Sequence, residues 1–194
     1  MKQENKLKGR DLINVGIYTA IYFVIMLAVA MLGMIPIFLP LLSVIVPILG
    51  GIPFMLFLTK VKKPGMIFIM AMIMGIMMLL TGMGPWPLLT CAVAGILAEI
   101  IYRSGEYKSA KKAVLAYAVF SMWIWGNYLP LFTDYEGYFA QRESYGQAYI
   151  EAVQKLMPLW MAPVLLAVCF VCGILGGILG RALLKKHFEK AGIA

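Results

Sequence analysis

Chemistry needs side chains that carry charge or exchange protons at a workable spacing, and this sequence offers few of them. Glu99 is the only acidic residue well inside an apolar stretch. It stands four residues before Arg103, which on a helix puts both side chains on one face and predicts an ion pair rather than a proton site. The single histidine, His187, falls in a basic tail. A histidine base, a Ser-His pair and a histidine metal cluster therefore all lack their residues. Cys169 and Cys172 have metal-like spacing without a second pair, and together with Cys91 they read as small packing residues in apolar segments. The sequence thus predicts neither an enzyme nor a metal site, and it calls for no cofactor.

The run Ser121-Met122-Trp123-Ile124-Trp125-Gly126-Asn127-Tyr128 points instead to binding. Trp123 and Asn127 are four apart and share a helical face, pairing a ring that stacks with an amide that donates and accepts hydrogen bonds. Trp86 and Trp160 fall at the same outer level. Trp125 and Trp160 also suit the interfacial aromatic belt that membranes impose whatever the function. Between 134 and 157, Tyr138, Arg142, Tyr145 and Tyr149 recur at three- and four-residue steps. That spacing predicts a helix laying aromatic side chains over a cavity. The candidate substrate-binding residues are Trp86, Trp123, Asn127, Tyr128, Tyr145 and Trp160.

The elements that must hold these residues are apolar helices. Of 194 residues, 62% are hydrophobic and 13% charged, against roughly a quarter charged in soluble domains. The stretches 12–59, 65–98, 113–133 and 156–180 contain no charged residue. A crossing takes about 20 apolar residues, so these stretches hold about six crossings. The plan is one all-α membrane domain over 1–194. Its helices run near 11–33, 36–59, 65–81, 86–102, 113–132 and 158–181, with the loop 134–157 outside. Pro40, Pro47 and Pro53 predict a second helix that is kinked or begins irregularly.

Net charge is +8, and the membrane accounts for it without nucleic acid. All Lys and Arg residues except Arg142 and Lys155 fall in the first tail, the 2–3 loop, the 4–5 loop or the last tail. The positive-inside rule then places both termini in the cytoplasm of a cell-membrane protein. Small residues four apart let helices approach closely. For Ala94 and Ala98, and for Gly173, Gly176, Gly177 and Gly180, internal packing is the favoured reading. Gly16 and Ala20 on the first helix suit packing and partner docking about equally.

Three segments, KGRDLINVGIYTAIYFVI, FSMWIWGNYLPLF and CGILGGILGRALLKKHFEKAGIA, carry a resemblance. The chain resembles the substrate-capture (S) components of energy-coupling-factor (ECF) transporters, in particular the streptococcal and treponemal-type subfamily of membrane proteins. The resemblance implies a subunit that binds a vitamin-like or other micronutrient at the outer face. It also implies delivery through a transmembrane coupling (T) subunit and two ATPase subunits. In that family an Ala-x-x-x-Ala-type motif on the first helix docks the T subunit, and Gly16-Ile17-Tyr18-Thr19-Ala20 stands in its place with Gly for the first Ala. Two other classes fit the residues. A standalone secondary transporter would need a coupling-ion site, for which no mid-membrane ionisable group is present; a structural membrane subunit would need no pocket. The aromatic candidates suit a flat ring ligand, and the residues do not choose among rings.

Overall fold

Apolar residues follow helical spacing along this chain, and every regular element among the described residues is helical. The computed structural model describes residues 6–61, 63–140, 142 and 144–188, with 187 and 188 described through their backbone alone. Lys2, Lys62, Glu143, Lys190 and the His187 side chain lie outside the described residues.

Helix α1 (Gly9–Ala30) continues as a 3-10 turn, Met31–Met34, and α2 (Phe38–Leu58) follows. Next come α3 (Met66–Leu80), α4 (Trp86–Arg103) and α5 (Ala110–Ser121), which continues as a 3-10 segment, Met122–Asn127. Short helices α6 (Leu129–Thr133), α7 (Tyr135–Ala140) and α8 (Gln147–Leu156) precede the long α9 (Met161–Leu183). Packing neighbours run α1, α2, α9, α5, α4, α3 and back to α1, a closed ring. Tyr22, Phe54, Tyr117 and Phe120 fill its middle, all fully buried.

Among the described residues, four helices are long and apolar enough to cross a membrane: Gly9–Met34, Phe38–Leu58, Trp86–Arg103 and Met161–Lys186. Helix α3 has 15 residues and reaches about 22 Å. The fifth helix departs from the expected single span over 113–132. It starts earlier, at Ala110, because the Ser109 hydroxyl accepts the Lys112 amide and caps it. Its outer part is a 3-10 segment of 6 residues after 12 in the α form. The larger 3-10 rise carries this short rod to about 30 Å.

Local chemistry sets the helix ends on the side of the α2–α3 and α4–α5 loops. The Asp11 carboxylate accepts the Lys8 amide at 2.8 Å and the Lys63 ammonium at 2.6 Å, tying the start of α1 to the α2–α3 loop. Glu99 corrects the expected Glu99–Arg103 pair. Its Oε2 accepts the Ile67 amide at 3.0 Å, and its Oε1 accepts the Tyr107 hydroxyl at 2.9 Å. The Ile67 amide belongs to the first turn of α3, where backbone N–H groups have no partner within the helix and the dipole favours a carboxylate. Arg103 stays exposed, where an ion pair gains little. Glu106 and Tyr107 take positive φ, 52° and 58°, to bring the phenol back onto Glu99. Burial and the adjacent carboxylate push the Tyr107 hydroxyl above the usual phenol range.

Helices α2 and α9 touch through backbone. A Cβ added at Gly176 would run into the Pro47 carbonyl oxygen, and one at Gly51 into the Gly176 carbonyl. The small residues of α9 and of α4 are therefore internal packing, as the sequence favoured; Ala94 and Ala98 are buried too. Helix α1 differs. Gly16 and Ala20 are exposed, with nothing within 4 Å of a Cβ built at Gly16.

Candidate functional site: a roofed cavity

The end of the helix ring that carries the α1–α2 and α3–α4 turns holds a cavity of about 280 Å³, near the small end of the ~300–1,000 Å³ usual for ligand pockets. Met26 and Ala30 of α1, Leu39, Leu42 and Val46 of α2, and Met78 of α3 form its walls. Trp123, Ile124 and Asn127 of the 3-10 segment close one side with Tyr128, while Thr81 and Met83 come from the α3–α4 turn. Tyr138 and Tyr145 form the roof. Among the described residues that line it, none is acidic or basic.

Three polar wall groups are fixed by backbone carbonyls. The Asn127 Nδ2 donates to the Ile124 carbonyl at 3.0 Å, the Tyr128 hydroxyl to the Leu39 carbonyl at 3.0 Å, and the Thr81 hydroxyl to the Met78 carbonyl at 2.8 Å. Trp123 is 3% exposed, and its Nε1 lies 3.5 Å from the Tyr22 hydroxyl. Behind it the Tyr117 hydroxyl donates to the Pro47 carbonyl at 2.6 Å. Tyr22 packs edge-on against Phe120 with ring centres 5.8 Å apart. The indole thus stands on a rigid aromatic floor.

The roof is two short helices rather than one. Phe139 is buried among Tyr135, Tyr138, Tyr145 and Tyr149, and Tyr145 stacks on Tyr149 at 4.4 Å. Two contacts latch the roof to the walls. The Tyr149 hydroxyl donates to the Gly33 carbonyl at 2.5 Å, beyond α1. Arg142 donates to the Tyr138 carbonyl at 2.8 Å and to the Gly82 carbonyl at 2.9 Å, its guanidinium 3.9 Å from the Tyr138 ring centre. Burial holds the Tyr138 and Tyr149 hydroxyls above the ordinary phenol range, so both stay neutral near pH 7.

The structure brings four of the six candidate residues, Trp123, Asn127, Tyr128 and Tyr145, to this cavity. It does not bring Trp86 or Trp160 there. Trp86 borders a separate open groove of about 330 Å³ with Leu89, Val93, Trp125 and Leu166. That groove is almost wholly apolar, so it lacks the polar groups that orient a ligand. Trp125 sits there with its Nε1 donating to the Ala162 carbonyl at 2.7 Å. Trp160, 65% exposed, caps the start of α9.

The cavity wall also includes Met26, Gly33, Thr81 and Met83, which the residue types alone did not single out. Their signal was position: each belongs to a helix end or turn at the same outer level as Trp123.

A four-span apolar architecture with a ligand-sized cavity agrees with the chain's similarity over residues 9–190 to Trep_Strep, described as a hypothetical bacterial integral membrane protein. The chain belongs to the Trep_Strep family. This Trep_Strep chain is thus an integral membrane protein, matched from the start of α1 through α9. No curated protein and no solved structure matches it.

Proposed function

We propose that this chain is the substrate-capture subunit of an ECF-type importer, binding a small micronutrient in the roofed cavity. The observation that carries the reading is the cavity itself, closed by a roof latched at Gly33 and Gly82. It lies at the end of the bundle opposite the lysine- and arginine-bearing turns. On this reading α3 and the α5 rod also cross, making about six crossings. The positive-inside rule keeps both termini in the cytoplasm and turns the roof outward.

An importer of this kind needs a face for its membrane partner as well as a pocket. Gly16 and Ala20 lie uncovered on α1 among the exposed Ile13, Ile17 and Val24. Small residues on a lipid-side helix face permit close backbone approach by another helix. That supports docking of a T subunit, with two ATPases beneath it.

The test is co-expression with a T subunit and its two ATPases, followed by affinity purification and ATP-dependent uptake. The wild type should copurify with the T subunit and support uptake. Gly16→Leu with Ala20→Leu should abolish both while the chain still folds, because among the described residues nothing lies within 4 Å of a Cβ at Gly16 and Ala20 is exposed. Normal copurification of the double variant would remove the docking role. Uptake without ATPases would favour a standalone transporter.

A further inference from the structure

The lining of the cavity constrains its ligand, and this step rests on the capture reading. Among the described residues no wall residue is charged, and Arg142 in the roof segment is engaged by the Tyr138 and Gly82 carbonyls. A buried carboxylate or phosphate would therefore lose its water without gaining a counter-charge from these residues, which is costly. A cation would meet no counter-charge among these residues, with a guanidinium at the rim.

The hydrogen-bond balance goes further. Thr81 and Tyr128 each have a single hydroxyl hydrogen, and both hydrogens are committed to backbone carbonyls. One Asn127 amide hydrogen is committed likewise. What remains is mainly acceptor capacity, on the Thr81 oxygen and the Asn127 Oδ1, beside the second Asn127 amide hydrogen; the buried Tyr128 oxygen already has the Ser43 backbone as a partner. Among the described residues no buried side-chain nitrogen or oxygen lacks a partner, so the Asn127 Oδ1 borders accessible space, and Thr81 is itself exposed. Tyr138 and Tyr145 add hydroxyls that turn to suit.

We infer that the cavity takes a small, uncharged, flat ring compound that presents ring N–H or amino donors to Asn127 and Thr81 while stacking on Trp123. Its size admits one ring or two fused rings; a macrocycle would not fit beneath the latched roof.

Four probes on one ring test this with the purified full chain in lipid nanodiscs, read by tryptophan fluorescence. They are benzimidazole, 1-methylbenzimidazole, benzimidazole-5-carboxylate and 1,3-dimethylbenzimidazolium. Benzimidazole, neutral with an N–H, should bind most tightly. Removing the N–H should weaken binding about 5-fold or more, the usual effect of losing a buried hydrogen bond. The anion should be weaker by about 10-fold or more. The methyl group also adds bulk, so Asn127→Leu supplies the control: it should weaken benzimidazole and narrow its advantage over the methylated probe.

Equal or tighter binding of the carboxylate or the dimethyl cation would overturn the inference, as would no binding of any probe. A gap unchanged by Asn127→Leu would overturn the role of that amide. The capture reading is judged separately. A chain that copurified with the T subunit yet preferred the carboxylate would keep that reading and lose this ligand class.

Discussion

Trp123 and Asn127 show how residue type and local geometry contribute differently to a site. Four residues apart on an α-helix they would share a face, but the backbone there is a 3-10 segment. Its 120° step puts them about 120° apart around the axis. Both still line the cavity because it wraps the end of the rod, not one side of it. Their chemistry was therefore legible in the sequence and their arrangement was not, since nothing in Met122–Asn127 announces a 3-10 turn. Asn127→Leu should weaken ligand binding by roughly 5- to 150-fold, the range for losing one buried hydrogen-bonding partner. Trp123→Ala should weaken it at least as much. Trp125→Ala should leave affinity unchanged and cost about 1 kcal/mol of stability through its lost bond to Ala162. Calorimetric titration of the three purified variants with the copurifying ligand checks this, and a large affinity loss in Trp125→Ala would contradict the separation of cavity from groove.

Helix extents were legible where apolar runs end in Gly and Pro, as at α2, α3 and α4. They were less so where a side chain capped an end from outside the run. Ser109 drew three further residues, Ala110 to Lys112, into α5. Glu99 shows a related limit. Sequence spacing brings Arg103 near it, while only tertiary packing brings the α3 amide and Tyr107. A fixed dipole at a helix N-terminus and a positioned phenol outcompete a mobile exposed guanidinium. Glu99→Leu should therefore cost about 1–3 kcal/mol of stability by leaving the Ile67 amide and the Tyr107 hydroxyl without partners. Arg103→Ala should cost under about 0.5 kcal/mol. Thermal melts of both variants in detergent decide between the two arrangements; an equal loss would restore the ion pair.

The molecule as a whole combines a roofed apolar cavity at one end with basic turns at the other, and its membrane setting is legible in composition alone. What composition could not supply was the short fifth rod or the split roof, both of which depend on packing between distant segments. The orientation is testable with single cysteines at Lys108 and Ser144 in a background without Cys91, Cys169 and Cys172. Ser109 is left intact because it caps α5. Impermeant thiol reagent added to intact cells should label position 144 alone, and labelling at 108 would reverse the topology.

The capture role itself comes down to whether the cavity holds a molecule in the cell. Mass spectrometry of small compounds released from the purified wild type, compared with the Trp123→Ala, Asn127→Leu double variant, answers this. One compound near equimolar amount in the wild type and strongly depleted in the variant is the expected result. The same compounds in equal amount from both proteins, or none from either, would contradict it.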